Sequence, residues 1–446
     1  MSRAGAALSR RERILRGPIG PTLIRLSAPT IIGALIQVTI SVVEGVVIGG
    51  LGTEALAGAA LVFPVFMLTT MLSAGAIGGA VSGAMARANG AGDAEQVARV
   101  VRAALVIAVG GAAIMGGGLM LVDADLFRLL GGTGPALDAA LSYGAVFFPG
   151  MLAIWVFNMI AGLMRGTGDM VRPMVAIGVV TGLHAAICWP LVGAFGMSGA
   201  ALALISAYGI GALGLLGLVV IGRAGFGLSG AAGVPWGVIG RCLSAGLLAG
   251  TQSVLTVATS LLVAGLIGRL GTAALAGYGV AARLELLMVP LIFGVGAALI
   301  ALVGGNAGAG QRARAIRIGW IGALAAGGLV GAVGLVVAVL PMLWIPLFSA
   351  DPLVGHVART ALAIIGPCYG FFGVGLALYF ASQGLGTLFW PVFGAVIRLA
   401  VIGGGAAVLF AVDLATVEAL VGLVAAGMVS YGLFNAAALR LGPWRP

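Results

Sequence analysis

The feature that most constrains this chain is a series of apolar runs, each of about 20 residues or more, along its whole length. A helix of about 20 residues crosses the roughly 30 Å core of a bilayer. Only 8% of the residues are charged, whereas a soluble domain carries about 25%. The chain therefore has too few charged residues to form the hydrated surface of a soluble fold. Strands of a membrane barrel would alternate apolar and polar residues, which these runs do not. The pattern therefore predicts an all-α integral membrane protein.

The apolar runs predict twelve transmembrane helices, six in each half of the chain. The expected spans are 22–48, 55–85, 97–122, 136–164, 173–192, 197–222, 241–269, 274–304, 313–340, 353–382, 390–411 and 416–440. The first run is too long for the apolar region of a signal peptide, so we expect it to remain as the first helix. The chain then divides into a basic N-terminal segment, an N-terminal lobe, a connector and a C-terminal lobe, over 1–21, 22–222, 223–239 and 240–446.

The second half of the chain repeats landmarks of the first. The segment Gly52-Thr53-Glu54-Ala55-Leu56-Ala57-Gly58 returns 219 positions later as Gly271-Thr272-Ala273-Ala274-Leu275-Ala276-Gly277. Four further landmarks, Gly90, Arg99, Pro149 and Pro173, return 218 positions later as Gly308, Arg317, Pro367 and Pro391. A constant shift over dissimilar motifs indicates an internal duplication. Because each copy has an even number of spans, we expect a pseudo-two-fold axis along the membrane normal to relate the two six-helix lobes.

The basic residues indicate the orientation in the membrane. All 23 are arginine, and the net charge is +10. Besides the N-terminal segment, one side of the predicted membrane carries Arg87, Arg99, Arg102, Arg165, Arg172, Arg223, Arg241, Arg312, Arg314, Arg317, Arg440 and Arg445. The other side carries Arg128, Arg269 and Arg359 together with Glu54, Asp123, Asp125, Asp138, Asp351, Asp413 and Glu418. The positive-inside rule then places both termini and the connector in the cytoplasm, with the protein in the inner membrane. Charges placed in this way do not indicate nucleic-acid binding.

One acid within the predicted membrane belongs to a polar stripe. Four residues of the first span share one helix face at the spacing i, i+7, i+11 and i+14: Thr30, Gln37, Ser41 and Glu44. A charge at this depth costs about 2.5–3.5 kcal/mol, so it needs a function or a partner. We expect Glu44 to bind the coupling proton or cation. The alternative is a glutamate satisfied by hydrogen bonds, or one that reaches water at the outer edge. The residues expected to line a cavity are Thr30, Gln37, Ser41, Asn158, Thr256 and Ser260.

Three further charges lie within predicted spans: Arg283, Glu285 and Arg398. Arg283 and Glu285 are two residues apart, so they do not face one another on a regular helix. We therefore expect an intramembrane ion-pair cluster of Arg283, Glu285 and Arg398, in which Arg398, on another helix, is the candidate partner of Glu285. Two roles remain open for these charges, a structural ion pair and a second coupling site at Glu285.

Several classes of protein are excluded by residues that the chain lacks. Without lysine there is no P-loop lysine and no Schiff-base lysine, which argues against ATP-driven transport by this chain. Cys188, Cys242 and Cys368 lie in separate apolar runs and are expected to be small packed side chains. We recognise no metal-ligand spacing and no nucleophile–base pair. We therefore expect neither an enzyme nor a cofactor, with a proton or a sodium ion as the coupling ion.

The order of several motifs resembles the multidrug and toxic compound extrusion (MATE) family. "GTEALAG" follows the first span, "ARANGAGD" the second and "LMRGTGDMVRP" the fourth, and "VAARLELLMVPLIFGVGAALIALVGGNAGAGQ" covers the eighth. The resemblance covers nearly the whole chain. It implies two lobes that export organic cations and other amphiphiles in exchange for inward protons or sodium ions.

Within that family, the first span resembles the DinF-like, often proton-coupled branch. Glu44 stands where that branch has an acid, and Pro29 resembles the proline that lets its first helix bend. The chain departs from the branch at Ala185 and Trp189, before Pro190, where an Asn and an Asp are often found. Sodium-coupled NorM-like members carry acids on the seventh and tenth spans, and neither span has one here. The resemblance therefore favours protons over sodium.

From these observations we predict a secondary antiporter that exports amphiphilic, cationic organic compounds in exchange for protons by alternating access. Its expected partners are the small organic substrate and the lipid bilayer, and we expect it to act as a monomer. The alternatives are a lipid-linked sugar flippase of the same superfamily, a sodium-coupled drug exporter, and a membrane scaffold without a transport role.

Overall fold

The computed structural model describes residues 9–227, 233–442 and 444, and in these residues the regular structure is helical. The α-helices are α1 Arg10–Arg16, α2 Ile19–Gly49, α3 Thr53–Thr70, α4 Ile77–Ala91, α5 Ala94–Leu129, α6 Gly134–Gly166, α7 Val171–Val220, α8 Trp236–Gly268, α9 Thr272–Gly308, α10 Arg312–Val339, α11 Pro352–Ile365, α12 Tyr369–Leu385, α13 Phe389–Ala411 and α14 Val417–Leu441. Parts of the predicted N-terminal segment (1–8), connector (228–232) and C-terminal end (443, 445 and 446, with Arg445) lie outside the described residues.

The predicted all-α membrane fold is confirmed, and the helices account for twelve crossings. Among the described residues, eleven stretches are long and apolar enough to span a membrane, with α3–α4 and α11–α12 each counted as one. The 50 residues of α7 would extend about 75 Å, which is far more than one crossing needs. Gly196 interrupts α7 with φ 57° and ψ −134°, so this stretch divides into two spans. That division lies between the predicted spans 173–192 and 197–222.

The repeated glycines adopt the same backbone conformation in both halves of the chain. The φ angles are 112° and 124° at Gly52 and Gly271, 75° and 76° at Gly92 and Gly310, and 81° and 82° at Gly168 and Gly386. Side chains rarely adopt such angles, because Cβ collides with the backbone there, whereas glycine adopts them readily. The duplication therefore preserves the turns at which the chain enters and leaves corresponding helices. The rotation that relates the two lobes stays a prediction.

A π-helical turn, Met71–Ala76, joins α3 to α4. Between Gly52 and Gly90 the first half contains one residue more than the second half does between Gly271 and Gly308, since the offset falls from 219 to 218. A single extra residue in a helix is accommodated by such a wider turn. In the second half the corresponding stretch is one α-helix, α9.

The two lobes are joined at the helix ends that carry Arg87, Arg99, Arg241, Arg312 and Arg317, which we call the basic face. Here α4 and α9 cross with their backbones in contact. Gly90 lies against the backbone of Gly305, and Gly308 lies against that of Arg87, which leaves no room for a Cβ atom at either glycine. Arg87 Nη1 also donates to the carbonyl oxygen of Gly384 on α12 at 2.6 Å. The basic face is therefore closed.

The short helix α1 lies at the basic face and contacts both lobes. A capping box begins it, because the Ser9 hydroxyl accepts from the Glu12 N–H and the Glu12 carboxylate accepts from the Ser9 N–H. Arg11 donates to carbonyl oxygens at the end of α4. On the other side, the Ile14 carbonyl oxygen accepts from Asn306 Nδ2 of α9 at 3.0 Å, and the Ile14 side chain packs among residues of the second lobe.

Candidate functional site

Glu44 lies in the penultimate turn of α2, and its carboxylate faces the first lobe. Tyr143 of α6 donates a hydrogen bond from its hydroxyl to Glu44 Oε1 at 2.6 Å. Tyr143 is itself buried, beside Phe147. In the described part of the chain no arginine lies within ion-pair distance of Glu44. Glu44 therefore has a hydrogen-bond donor but no fixed counter-charge.

Gln37, another residue of the predicted stripe, also contacts a helix of the first lobe. Gln37 Nε2 donates to the Tyr208 hydroxyl of α7 at 3.1 Å. Thr30 is buried and donates to the carbonyl oxygen of Leu26 on its own helix at 3.4 Å. Ser41 is half-buried. Two of the four stripe residues thus fasten α2 to the first lobe through tyrosine hydroxyl groups.

Asn158 of α6 is fixed against the π-helical turn. Its Nδ2 donates to Ser73 Oγ at 2.8 Å, and Ser73 Oγ donates to the Thr69 carbonyl oxygen at 2.6 Å. Asn158 and Ser73 are both buried. A π-helical turn displaces carbonyl groups from the α-helical pattern, and such turns are frequent at functional sites. The role of Asn158 in lining a cavity stays a prediction.

In the second lobe, Glu285 and Arg398 form an ion pair. Arg398 Nη2 lies 2.9 Å from Glu285 Oε1, and the two side chains are only 5% and 13% exposed, Arg398 being the more buried. Arg398 also lies over the ring of Phe372, at 4.8 Å from its centroid. The prediction that Arg283 shares this cluster is wrong, because its guanidinium instead lies over the ring of Phe348 at 4.9 Å. The helix spacing explains the difference, since side chains two residues apart point to different sides.

The polar residues of α8 partly repeat those of α2. Gln252 Nε2 donates to the Tyr431 hydroxyl of α14 at 3.0 Å, as Gln37 does to Tyr208. Gln252 lies four residues before Thr256, the repeat equivalent of Gln37, so the contact is displaced by one helical turn. Thr256 and Ser260 donate to carbonyl oxygens of their own helix, at 2.9 and 3.2 Å.

Several residues that the sequence did not single out also contribute to these sites. Tyr143, Ser73 and Arg87 are examples, because each acquires its role from a partner far along the chain. Arg25 on α2 was overlooked among the charges near the membrane. His184 is fully buried. Neither of its ring nitrogens has a hydrogen-bond partner among the described residues.

Comparison with known proteins identifies the family. The MatE family model matches residues 29–190 and 249–408, one match in each half of the chain. The chain belongs to the MATE family. The "Probable multidrug resistance protein NorM" of Deinococcus radiodurans is 32% identical over 335 residues, which cover 72% of this chain and 70% of that protein. The "FAD transporter" of Shewanella oneidensis is 24% identical over 412 residues, 87% of each chain.

The fold of this MATE protein is also found in solved structures. A structure described as "Crystal structure of MATE in the bent conformation" superposes with a TM-score of 0.90, covers 98% of both chains and is 22% identical. MATE proteins are membrane transporters, and their multidrug-resistance members export drugs. This chain is therefore a multi-pass membrane protein of a transporter family.

Proposed function

We propose that this MATE protein is a proton-driven antiporter that exports amphiphilic organic cations by alternating access. The observation that carries the proposal is Glu44, a carboxyl group in an apolar lobe that has a tyrosine donor but no ion-pair partner in the described chain. An acid without a fixed counter-charge can gain and lose a proton without breaking an ion pair. Intramembrane acids of this kind mark proton pathways in transporters.

Coupling requires that protonation favours one conformation, because a bound proton shifts an equilibrium only through differential affinity. An ionised Glu44 only accepts hydrogen bonds, whereas a protonated one can also donate, so its contact with Tyr143 changes. Gln37, two turns earlier on α2, is bound to Tyr208. We infer that α2 responds by moving against α6 and α7 about Pro29, where the helix lacks one backbone hydrogen bond.

The closed basic face corresponds to one of the two states that alternating access requires. With that face in the cytoplasm, the described state is closed to the cytoplasm, and we infer that it corresponds to the outward-facing state. The opposite state requires that α4 and α9 separate at Gly90 and Gly308, and that α1 releases one lobe. The same separation must break the hydrogen bond from Arg87 to the Gly384 carbonyl oxygen of α12.

Competition for Glu44 favours a cationic substrate, because an acid that is not neutralised within its lobe attracts cations as well as protons. The position of Glu44 on α2 supports the proposed likeness to the DinF-like branch, and an acid without a counter-charge supports a cation exporter over a lipid-linked sugar flippase. One observation supports a second candidate, an anionic substrate. Arg87 and Arg241 line a cavity of about 310 Å³ between α4 and α8, and one relative is described as an FAD transporter.

Uptake of a fluorescent organic cation into everted vesicles, under separate proton and sodium gradients, tests the proposal. Glu44→Gln keeps the size of the side chain but cannot exchange a proton, so proton-driven uptake should be lost while the protein remains folded. Glu54→Gln is the matched control and should transport normally, because Glu54 is an exposed acid at the second position of α3. Continued uptake by Glu44→Gln with unchanged pH dependence would contradict the proposal. Uptake of FAD but not of cations would support the second candidate.

A further inference from the structure

A second cavity, of about 170 Å³, lies at the basic face between α1, the first turns of α2 and the turn that leads into α7. Its polar lining consists of three arginines, Arg10, Arg13 and Arg25, with Thr22 and the single carboxylate Asp169. The lining therefore has an excess of positive charge. The cavity is separate from Glu44, which lies at the other end of α2.

The one carboxylate at this cavity is already paired. Asp169 Oδ2 lies 2.8 Å from Arg172 Nη1 and 3.2 Å from Arg10 Nη1, and its side chain is only 3% exposed. Asp169 Oδ1 also accepts from the backbone N–H of Arg172 at 3.2 Å. Two arginines thus compete for one carboxylate, and its charge is not available to neutralise Arg25.

Arg25 has an exposed side chain and neither an ion-pair nor a hydrogen-bond partner among the described residues. It lies six residues after Ile19, in the second turn of a helix that is long and apolar enough to span a membrane, so we expect it near the lipid headgroups. Apolar side chains beside it are also exposed, Ile24 by 70% and Val171 by 53%. A soluble anion needs only the cations, whereas a lipid uses the cations and the neighbouring apolar surface together.

We propose that this cavity binds the phosphate group of an anionic lipid, with Arg25 as a principal ligand and the acyl chains along Ile24 and Val171. Guanidinium groups bind phosphate oxygens through paired N–H donors. Basic pockets between the ends of transmembrane helices bind such headgroups. A soluble phosphate is the other source of the same chemistry, and the apolar surface beside Arg25 favours the lipid. The lipid would also support α1, whose Arg10 and Arg13 line the cavity.

Thermal unfolding of the purified full chain in detergent tests this site, because a ligand that binds the folded state raises the melting temperature. The probes are dioctanoyl-phosphatidylglycerol, dioctanoyl-phosphatidylcholine and inorganic phosphate. Phosphatidylglycerol should raise the melting temperature in a saturable way, and phosphatidylcholine, which has no net charge, should do so far less. Arg25→Gln should weaken the apparent affinity for phosphatidylglycerol about fivefold, as expected for one basic residue at a membrane surface. Arg25→Lys should retain most of it.

Arg359→Gln is the matched control. Arg359 is exposed, has no hydrogen-bond or ion-pair partner among the described residues, and lies seven residues into α11 at the opposite end of the bundle. Its substitution should leave the titration with phosphatidylglycerol unchanged. An Arg25→Gln protein that titrates like the wild type, or an equal loss in Arg359→Gln, would overturn the site. An equal, Arg25-dependent shift with inorganic phosphate alone would keep the phosphate site and overturn its assignment to a lipid.

Discussion

One acid of each lobe contacts a side chain on a neighbouring membrane-spanning helix, and the two contacts differ. In the first lobe, Glu44 receives a single hydrogen bond from Tyr143. In the second lobe, Glu285 is paired with Arg398, which itself lies over an aromatic ring. The charge of Glu285 is thus compensated by a cation in contact, whereas Glu44 has a hydrogen-bond donor without a counter-charge. The two contacts therefore suit Glu285 to a structural role and leave Glu44 as the candidate for coupling.

Neither acid has an acidic counterpart at the equivalent position of the other lobe, although the two lobes are copies of one another. The repeat equivalents of Glu44 and Tyr143 are Val263 and Ala361, and those of Glu285 and Arg398 are Phe66 and Val180. All four equivalents are buried apolar residues. The copies thus kept their turns and helix packing, while each acquired its own polar pair in a position that the other fills with apolar side chains. Function in a duplicated transporter can therefore be asymmetric even where the fold is not.

The largest effect should come from breaking the ion pair of the second lobe. Arg398→Ala leaves Glu285 buried without a cation, which typically costs about 3–5 kcal/mol. We expect low expression and a strongly reduced melting temperature, and partial recovery in the double variant Glu285→Ala/Arg398→Ala. If either single variant folds and transports like the wild type, Glu285 is not a structural acid, and the contrast between the lobes fails.

A smaller effect on stability, but a large one on transport, should follow from Tyr143→Phe. The substitution removes the donor to Glu44 without changing the ring, and a hydrogen bond to a charged group contributes about 1.5–3 kcal/mol. Proton-driven uptake should fall about tenfold or more, while the melting temperature falls less than in Arg398→Ala. Tyr208→Phe, which removes the hydroxyl that Gln37 contacts, is the control for the loss of a buried hydroxyl in the same lobe. Equal losses of uptake in both variants would remove the special role of Glu44.

The smallest effects are expected at the glutamine–tyrosine hydrogen bond, which occurs once in each lobe. Gln37→Leu and Gln252→Leu each remove a glutamine–tyrosine hydrogen bond between the first and last helices of a lobe. A bond of this kind contributes about 1 kcal/mol, so the two melting temperatures should fall by similar, small amounts. Only Gln37→Leu should also slow transport, because only Gln37 shares a helix with Glu44. Slower transport in both variants would show that transport depends on this hydrogen bond in either lobe, and not on the presence of Glu44 on the same helix.

The polar chemistry was predictable only in part. The pairing of Glu285 with Arg398 followed from the energetic cost of isolated charges, which leaves few partners for each one. The same reasoning did not find Tyr143, because a tyrosine carries no charge that requires a partner and Tyr143 is 99 positions away from Glu44. It also assigned Arg283 to the ion pair, whereas the helix directs that side chain towards Phe348. The free-energy cost of an isolated charge in the membrane identifies which residues need partners. The packing of the helix faces determines which partners they contact.

The membrane fold, the twelve crossings and the duplication could all be predicted from the sequence, because hydropathy and repeated turns are properties of continuous stretches of chain. Repeated glycines such as Gly52 and Gly271 have similar positive φ angles, so their equivalence can be recognised from the sequence without knowledge of the tertiary structure. Only the tertiary structure decided that Met71–Ala76 accommodates the extra residue as a π-helical turn, that α1 joins both lobes and that the basic face is closed. These features depend on which helix faces meet, and contacts between residues hundreds of positions apart leave no periodic signal in the chain.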